Sequence, residues 1–145
     1  MKSEPADVSI DDVLALPDQT IGWYGVRNYR ARNFMRDLMQ VGDGVLFYHS
    51  SCAQPGIAGI ATVASTSYPD PTQFDRHCKY FDPRATPETA RWFMVDVRAT
   101  KKISLLSLAF LRAQAELSEM QILRRGNRLS ITPVLAAEWR FLMQQ

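Results

Sequence analysis

The sequence predicts an α+β fold, a small curved and mostly antiparallel β-barrel flanked by helices, in one domain over residues 1–145. Three observations predict it. Val45–His49 is apolar at nearly every position, which is typical of a strand that is covered on both sides. Gly56 and Gly59 lie inside the returning strand and favour the bends that a barrel needs. Helices alternate with strands that return by tight turns, which argues against a doubly wound parallel sheet.

The first half of the chain predicts two helices before the strand pair. Ser9 and Asp12 have the spacing of a capping box, and Pro17 ends the first helix. A second helix is predicted over residues 29–39 with Asn28 as its N-cap. Its apolar residues fall on one stripe, formed by Ala31, Phe34, Met35, Leu38 and Met39.

Residues 68–90 form the longest irregular region and contain four prolines. A loop of this length in a compact domain is usually functional or disordered. Its aromatic residues favour an ordered loop: Tyr68, Phe74, Tyr80 and Phe81.

The last third predicts a long strand over residues 91–100 and two helices, over 104–117 and 132–144. Thr132 is the expected cap of the second of these helices, and Pro133 its first helical residue. Residues 122–131, between the helices, predict a turn and a short closing strand.

Composition narrows the class of protein. Hydrophobic residues make up 46% of the 145 residues and charged residues 22%, which is typical of a globular chain. The apolar runs are far too short to span a bilayer, so we expect no membrane partner. The start has no apolar signal core, so we expect a cytoplasmic protein. Cys52 and Cys78 are therefore expected to be reduced thiols.

The segment GWYGVRNYRARNF, residues 22–34, concentrates arginine and aromatic residues without an acid. Arg30 and Arg32 fall in the first turn of the predicted helix, and Arg27 lies just before it. A helix N-terminus with arginines can bind phosphate or the edge of a base. Alternatively, these arginines point to solvent or pair with the acidic N-terminal segment. A second basic cluster contains Arg124, Arg125 and Arg128.

Motifs for catalysis or metal binding are weak. His49 is adjacent to Ser50, but neighbouring strand residues point to opposite faces, and no G-x-S-x-G is present. The two cysteines and two histidines lack the spacing of a zinc site. Asp70 and Asp82 are better explained as turn formers beside proline than as cation ligands. We therefore expect no metal and no cofactor.

Aromatic side chains beside basic ones are what nucleobase stacking requires. Trp23, Tyr24 and Tyr29 bracket the arginines, and Tyr80 follows Lys79. Core packing is the alternative interpretation of any of these rings. For Trp92 and Trp139 we expect core packing, because their neighbours place them on apolar faces.

Eight segments, in order over essentially the whole chain, together resemble the EVE domain of the PUA-like superfamily. They are KSEP (2–5), GVRNYRARNFMRD (25–37), VGDGVLFYHSSC (41–52), PGIAGIA (55–61), YPDPTQFD (68–75), KYFDP (79–83), RWFMVDV (91–97) and ILRRGNRLSITPV (122–134). The resemblance implies a PUA-like barrel related to the YTH readers of methylated RNA. It also implies a pocket that reads modified bases, especially modified cytosine in DNA. Bacterial members of this family are single-domain proteins.

The resemblance also implies where the pocket lies. By position, Lys2 and Ser3 match a strand that lines the pocket in the YTH relatives, and Arg27 and Asn28 match the place of a cage aromatic and its neighbour. Family members usually carry a few apolar residues before the Lys-Ser pair, whereas this chain begins at Met1. A short first strand or a start upstream is therefore expected.

We predict a non-catalytic module that binds a modified base in nucleic acid, with DNA favoured over RNA, and that is a monomer. The predicted base-binding residues are Lys2, Ser3, Trp23, Arg27, Asn28, Tyr29, His49, Ser50 and Tyr80. His49 and Ser50 match the His-Ser of the family and are expected to face the same cavity. The predicted phosphate contacts are Arg30, Arg32 and Arg125. The alternatives are an enzyme that acts on a modified nucleotide with His49 as acid–base group, an RNA-binding module, and a protein-interaction module.

Overall fold

The structure is a computed structural model that describes residues 1–145. The strands are β1 (Lys2–Ser3), β2 (Thr20–Gly22), β3 (Gly44–His49), β4 (Gly56–Val63), β5 (Tyr68–Pro69), β6 (Phe93–Met94) and β7 (Asp96–Ser107). The α-helices are α1 (Ile10–Leu14), α2 (Tyr29–Asp37), α3 (Leu108–Arg112) and α4 (Ala136–Leu142). Four short 3₁₀ helices lie in the connections. Not one of the helices has the length and apolar character needed to cross a membrane.

Five strands form one curled sheet in the order β1-β3-β4-β7-β2. Strand β1 is parallel to β3, and the other pairs are antiparallel. The register shifts between Phe47 and Tyr48 and twice along the pairing of β4 with β7. Such irregularities bend strands and increase their twist, so the sheet curls into a half-barrel. The predicted fold class is confirmed.

Both faces of β3 are covered, as its continuous apolar run predicts. Val45 and Phe47 belong to one buried cluster, under α1 and α2. Leu46 and Tyr48 belong to a second cluster, under α3 and α4. Successive side chains of a strand point to opposite faces, so one short strand contributes to both cores.

Gly59 marks a close approach of α1 to the sheet. A Cβ atom at Gly59 would lie 2.5 Å from Cγ1 of Ile10, whose side chain is fully buried. The predicted close backbone approach in β4 is therefore confirmed at Gly59.

The predicted starts of the first two helices are confirmed. The Ser9 hydroxyl accepts from the Asp12 N–H, and the Asp12 carboxylate accepts from the Ser9 N–H. The Asn28 side chain accepts from the N–H groups of Arg30 and Ala31. Helix α2 ends at Asp37, however, and Leu38 is 65% exposed, so the predicted apolar stripe is wrong at that position.

Two predicted boundaries in the last third are wrong. Strand β7 continues to Ser107, because Leu106 and Ser107 pair with β4; a helix starting at residue 104 is thereby excluded. The Ser107 hydroxyl then accepts from the Phe110 N–H and starts α3. The predicted strand over residues 91–100 is likewise divided at Val95 into β6 and β7.

The C-terminal helix also begins later than predicted. Helix α4 starts at Ala136, after both Thr132 and Pro133, and the Glu138 carboxylate accepts from the Leu135 N–H at its start. Residues 122–131 form no strand; their contact with β1 is one hydrogen bond, from the Lys2 N–H to the Ser130 carbonyl (2.8 Å). One bond is too few to continue the sheet.

Candidate functional site

A cavity of about 240 Å³ opens beside β1 and β2. Residues 2–8, the segment that begins in β2, and the middle of the irregular region converge there because β1 and β2 are the two edge strands of the curled sheet. The lining residues are Lys2, Ser3, Glu4, Asp7, Val8, Ile21, Gly22, Trp23, Tyr24, Gly25, Val26, Lys79, Tyr80 and Ser130.

Three aromatic side chains line this cavity. Trp23 is 8% exposed and packs edge-on against Phe47, with ring centroids 5.4 Å apart, which anchors the cavity in the core. Tyr24 is 43% exposed and meets Tyr80 edge-on at 6.0 Å. The cavity therefore offers a buried ring, Trp23, a half-buried ring, Tyr80, and an exposed ring, Tyr24.

Gly25 lets the two tyrosines come close. Its φ angle is +85°, and a Cβ atom there would lie 2.7 Å from the ring of Tyr80. Any other residue at this position would both strain the backbone and displace Tyr80.

The polar lining carries charges of both signs. Glu4 and Asp7 supply carboxylates, and Lys2 and Lys79 supply ammonium groups. Burial lowers the pKa of Lys2 from its ordinary value. The Lys79 ammonium lies 3.8 Å from the Asp7 carboxylate and 5.0 Å from the Tyr80 ring centroid. The cavity thus presents hydrogen-bond donors and acceptors beside aromatic rings.

Arg27, a predicted base contact, does not line the cavity. Its guanidinium donates to the Asp70 carboxylate (3.0 Å), to the Tyr80 carbonyl (2.8 and 3.1 Å) and to the Thr72 hydroxyl (3.0 Å). Asp70 is fully buried and also accepts from the Gly25 N–H at 2.8 Å. Burial alone would raise the pKa of Asp70, but the hydrogen bonds from Gly25, Thr72 and Arg27 lower it below its ordinary value.

The irregular region is ordered by buried polar side chains. The Gln73 amide donates to the carbonyls of Asp70 (2.7 Å) and Trp92 (2.8 Å), and its oxygen accepts from the N–H groups of Arg91 and Trp92. The Asp82 carboxylate accepts from the Trp92 indole at 2.8 Å, and this bond is the main reason that its pKa is lowered. Trp92 is 4% exposed, so its predicted place in the core is confirmed.

His49 and Ser50 do not line the cavity, contrary to the expectation. His49 Nε2 accepts from the Ile10 N–H at 3.1 Å, and burial lowers the pKa of the imidazole. The Ser50 N–H donates to the Ser3 carbonyl at 2.8 Å. The His-Ser pair therefore holds α1 and β1, the elements on either side of the cavity residues 4–8.

The other predicted site residues lie outside the cavity lining. The Asn28 side chain is used as the cap of α2. Tyr29 stacks on Trp92, with centroids 4.9 Å apart, and Arg32 lies 4.7 Å from the Tyr29 centroid. Arg30 and Arg125 are exposed.

Several lining residues were not in the predicted set: Glu4, Asp7, Tyr24, Lys79 and Ser130. Tyr24 and Lys79 had a signal, because both belong to the basic and aromatic segments. Glu4 belongs to the KSEP segment, whereas Asp7 had no signal, since an exposed acid in a turn has no periodicity. No group of three or more His, Cys, Asp or Glu side chains is placed to hold a metal ion.

The model of the EVE domain matches residues 1–145 of this chain. The chain belongs to the EVE domain family. The family's thymocyte nuclear protein 1 from Homo sapiens is 39% identical over 161 aligned residues, which cover 99% of this chain and 71% of that protein.

Two solved structures are very similar in fold to this chain. A protein from Pseudomonas putida is 45% identical, with a TM-score of 0.94, over 99% of this chain and 95% of that one. The human THYN1 protein in complex with DNA that contains 5-methylcytosine is 39% identical, with a TM-score of 0.93, over 99% and 94% of the two chains.

Proposed function

We propose that this EVE domain is a non-catalytic module that binds DNA and holds a modified cytosine in the cavity beside β1 and β2. The observation that carries the proposal is the cavity itself, in which aromatic rings and groups of both charges meet. The complex of the human relative with 5-methylcytosine DNA supports the same class of ligand.

The lining suits a cytosine that has left the base stack. Tyr80 and Trp23 offer ring faces or edges, and stacking on aromatic side chains stabilises an extruded base. The carboxylates of Glu4 and Asp7 are acceptors for the exocyclic amine of cytosine, whereas thymine has a carbonyl at that position. The Lys2 ammonium is a donor for the base carbonyl.

Affinity comes from arginines outside the cavity in this proposal. Arg30, Arg32 and Arg125 are the candidate phosphate contacts, and such contacts bind DNA without reading its sequence. The Arg32 guanidinium is already fixed by a 2.7 Å bond to the Arg91 carbonyl and by the Tyr29 ring. Because the Arg32 side chain is already ordered, it loses less conformational entropy when it binds a phosphate.

The proposal is tested by binding to matched oligonucleotides that contain cytosine, 5-methylcytosine or 5-hydroxymethylcytosine at one position, as DNA and as RNA. We expect tighter binding to one modified DNA, and Tyr80→Ala should remove most of the preference. Arg30→Gln should weaken binding to all oligonucleotides alike and reduce its salt dependence. Equal binding to every DNA would contradict the proposal, and a preference confined to RNA would reassign the nucleic acid.

The proposal that this domain catalyses no reaction on the bound base is tested separately. His49, the acid–base group that an enzyme would use, accepts a hydrogen bond from Ile10 outside the cavity. We expect each modified oligonucleotide to be recovered unchanged after prolonged incubation, as measured by mass spectrometry. Any conversion that His49→Gln abolishes would favour the enzyme.

A further inference from the structure

We propose that the Arg27–Asp70 ion pair is a positioning unit that fixes two adjoining walls of the cavity relative to each other and thereby sets its selectivity for the modified base. This inference rests on the proposed function. Neither side chain lines the cavity, so both residues act through the walls that they hold.

The pair connects the walls by direct hydrogen bonds. Asp70 accepts from the Gly25 N–H at 2.8 Å, which fixes the segment that carries Trp23 and Tyr24. Arg27 donates twice to the Tyr80 carbonyl, at 2.8 and 3.1 Å, which fixes the segment that carries Tyr80. The 3.0 Å bond between Arg27 and Asp70 joins these two anchors.

The surroundings of the pair make it rigid. The Asp70 side chain has no exposed surface, and its other oxygen accepts from the N–H (2.8 Å) and the hydroxyl (2.6 Å) of Thr72. The Arg27 guanidinium lies 5.4 Å from the Tyr80 ring centroid and 5.3 Å from that of Trp92. A planar fork with this many fixed partners has few alternative conformations.

This rigidity has a consequence for binding. The pocket must distinguish a base from the same base with one additional small group, and a looser wall accepts both. Binding sites that are held in place before the ligand arrives lose less entropy on binding and discriminate more sharply. Loss of the pair should therefore reduce the preference between bases more than it reduces affinity for DNA.

The variants for the test are Arg27→Lys, Arg27→Gln and Asp70→Asn. Arg27→Lys keeps the charge but loses the fork, so it remains informative if a neutral variant fails to fold. Arg140→Gln on α4 is the matched control, because it removes one arginine charge and lies outside the cavity lining. Each variant is first shown to be folded by its thermal transition.

Two readouts are taken: the ratio of Kd values for unmodified and 5-methylcytosine DNA, and the hydrogen-exchange rate of the Gly25 amide, which donates to Asp70, without DNA. We expect the ratio to fall about tenfold toward one in the Arg27 and Asp70 variants, on the scale of a lost charged hydrogen bond. Affinity for unmodified DNA should change less than about threefold in the same variants. The Gly25 amide should exchange faster in them, and Arg140→Gln should leave both readouts unchanged.

The two proposals can fail separately. If the wild-type chain shows no base preference but the variants exchange faster at Gly25, the positioning of the walls stands and the proposed function is wrong. If the wild-type chain discriminates, and the folded variants keep both the preference and slow exchange, the positioning role is overturned. If the Gly25 amide exchanges faster in the variants but their base preference is unchanged, the Arg27–Asp70 pair has no part in selectivity.

Discussion

The curled sheet and the segment of residues 68–92, which we call the wall because its Lys79 and Tyr80 line the cavity, are held together by different forces. In the sheet, buried apolar side chains such as Phe47 and Ile57 dominate, each 1% exposed or less. In the wall, the side chains of Asp70, Gln73 and Asp82 are buried and hydrogen-bonded. The sheet gains stability from the area it removes from water, whereas the wall depends on individual donors and acceptors.

This difference matters because the two forces have different directionality. Apolar contacts are non-directional, so a sheet core tolerates small shifts of its side chains. Hydrogen bonds require alignment, and a buried group that loses its partner costs about 1–3 kcal/mol. The wall that borders the cavity is therefore fixed in geometry, while the sheet behind it supplies most of the stability.

The largest expected effect is in the sheet. Phe47→Ala should lower the free energy of unfolding by about 3–5 kcal/mol, because it removes a fully buried ring between α1, Trp23 and His49. Denaturant unfolding measures this loss. Because Phe47 also packs against Trp23 in the cavity lining, the base preference of the folded fraction should fall as well; an unchanged preference would show that this contact does not position the Trp23 ring.

The next effect comes from an imidazole at the edge of the same core. His49 Nε2 accepts from the Ile10 N–H at 3.1 Å, and burial lowers the pKa of the imidazole below its ordinary value of 6.5. The unfolded chain therefore binds more protons as the pH falls below 6.5, so the free energy of unfolding should fall over the same range.

Unfolding by denaturant at several pH values between 5 and 8 checks this effect. His49→Gln is the control, because it removes the titrating imidazole and leaves the rest of the chain unchanged. Identical slopes for the wild-type and His49→Gln chains would contradict the prediction. The lowered pKa values of Asp70 and Asp82 act in a separate range below about pH 4.

A substitution in the wall should lower the free energy of unfolding less than Phe47→Ala does, and should reduce the base preference more. Gln73→Leu removes two donors and an acceptor that serve the main chain around Trp92, and should cost about 2–3 kcal/mol. The base preference should fall with it, as measured by the same pair of Kd values. Gln54→Leu, at an exposed turn, is the control and should change neither quantity. Retention of the preference by a folded Gln73→Leu chain would argue that the wall tolerates movement.

The smallest effect is at the surface helix. Asn28→Ala removes the cap of α2 and should cost about 1 kcal/mol of unfolding free energy. Asn33→Ala, within the same helix, should stay within about 0.5 kcal/mol of the wild type. A larger loss for Asn33→Ala than for Asn28→Ala would show that the arginine contacts, and not the cap, hold this helix.

The elements with local signals could be predicted from the sequence. Ser9, Asp12 and Asn28 identify helix starts because a cap is satisfied within three residues. The apolar run at β3 and Gly59 predict a strand covered on both sides and a close approach to it. Strand β7 was predicted too short, because residues 104–107 were assigned to the helix that follows. Their pairing with β4, which the local pattern does not reveal, makes them part of the strand.

The site was only partly predictable, because much of it depends on contacts between segments that are far apart in the chain. The sequence identified the arginine and aromatic segment, and Lys2, Ser3, Trp23 and Tyr80 do line one cavity. It could not show that Arg27 points to Asp70, 43 residues further along the chain, because ion pairs between distant segments leave no local pattern. Nor could it show that His49 holds α1, since that bond depends on how the helix crosses the sheet.

The sequence by itself determined the fold class, the caps of α1 and α2, the double burial of β3 and the family to which the chain belongs. These follow from periodicity, from short-range hydrogen bonds and from the order of the segments. Only the tertiary structure decided which polar residues face the cavity and which ones support it. That choice depends on pairing between strands and loops far apart in the chain, where burial and hydrogen-bond geometry are fixed jointly.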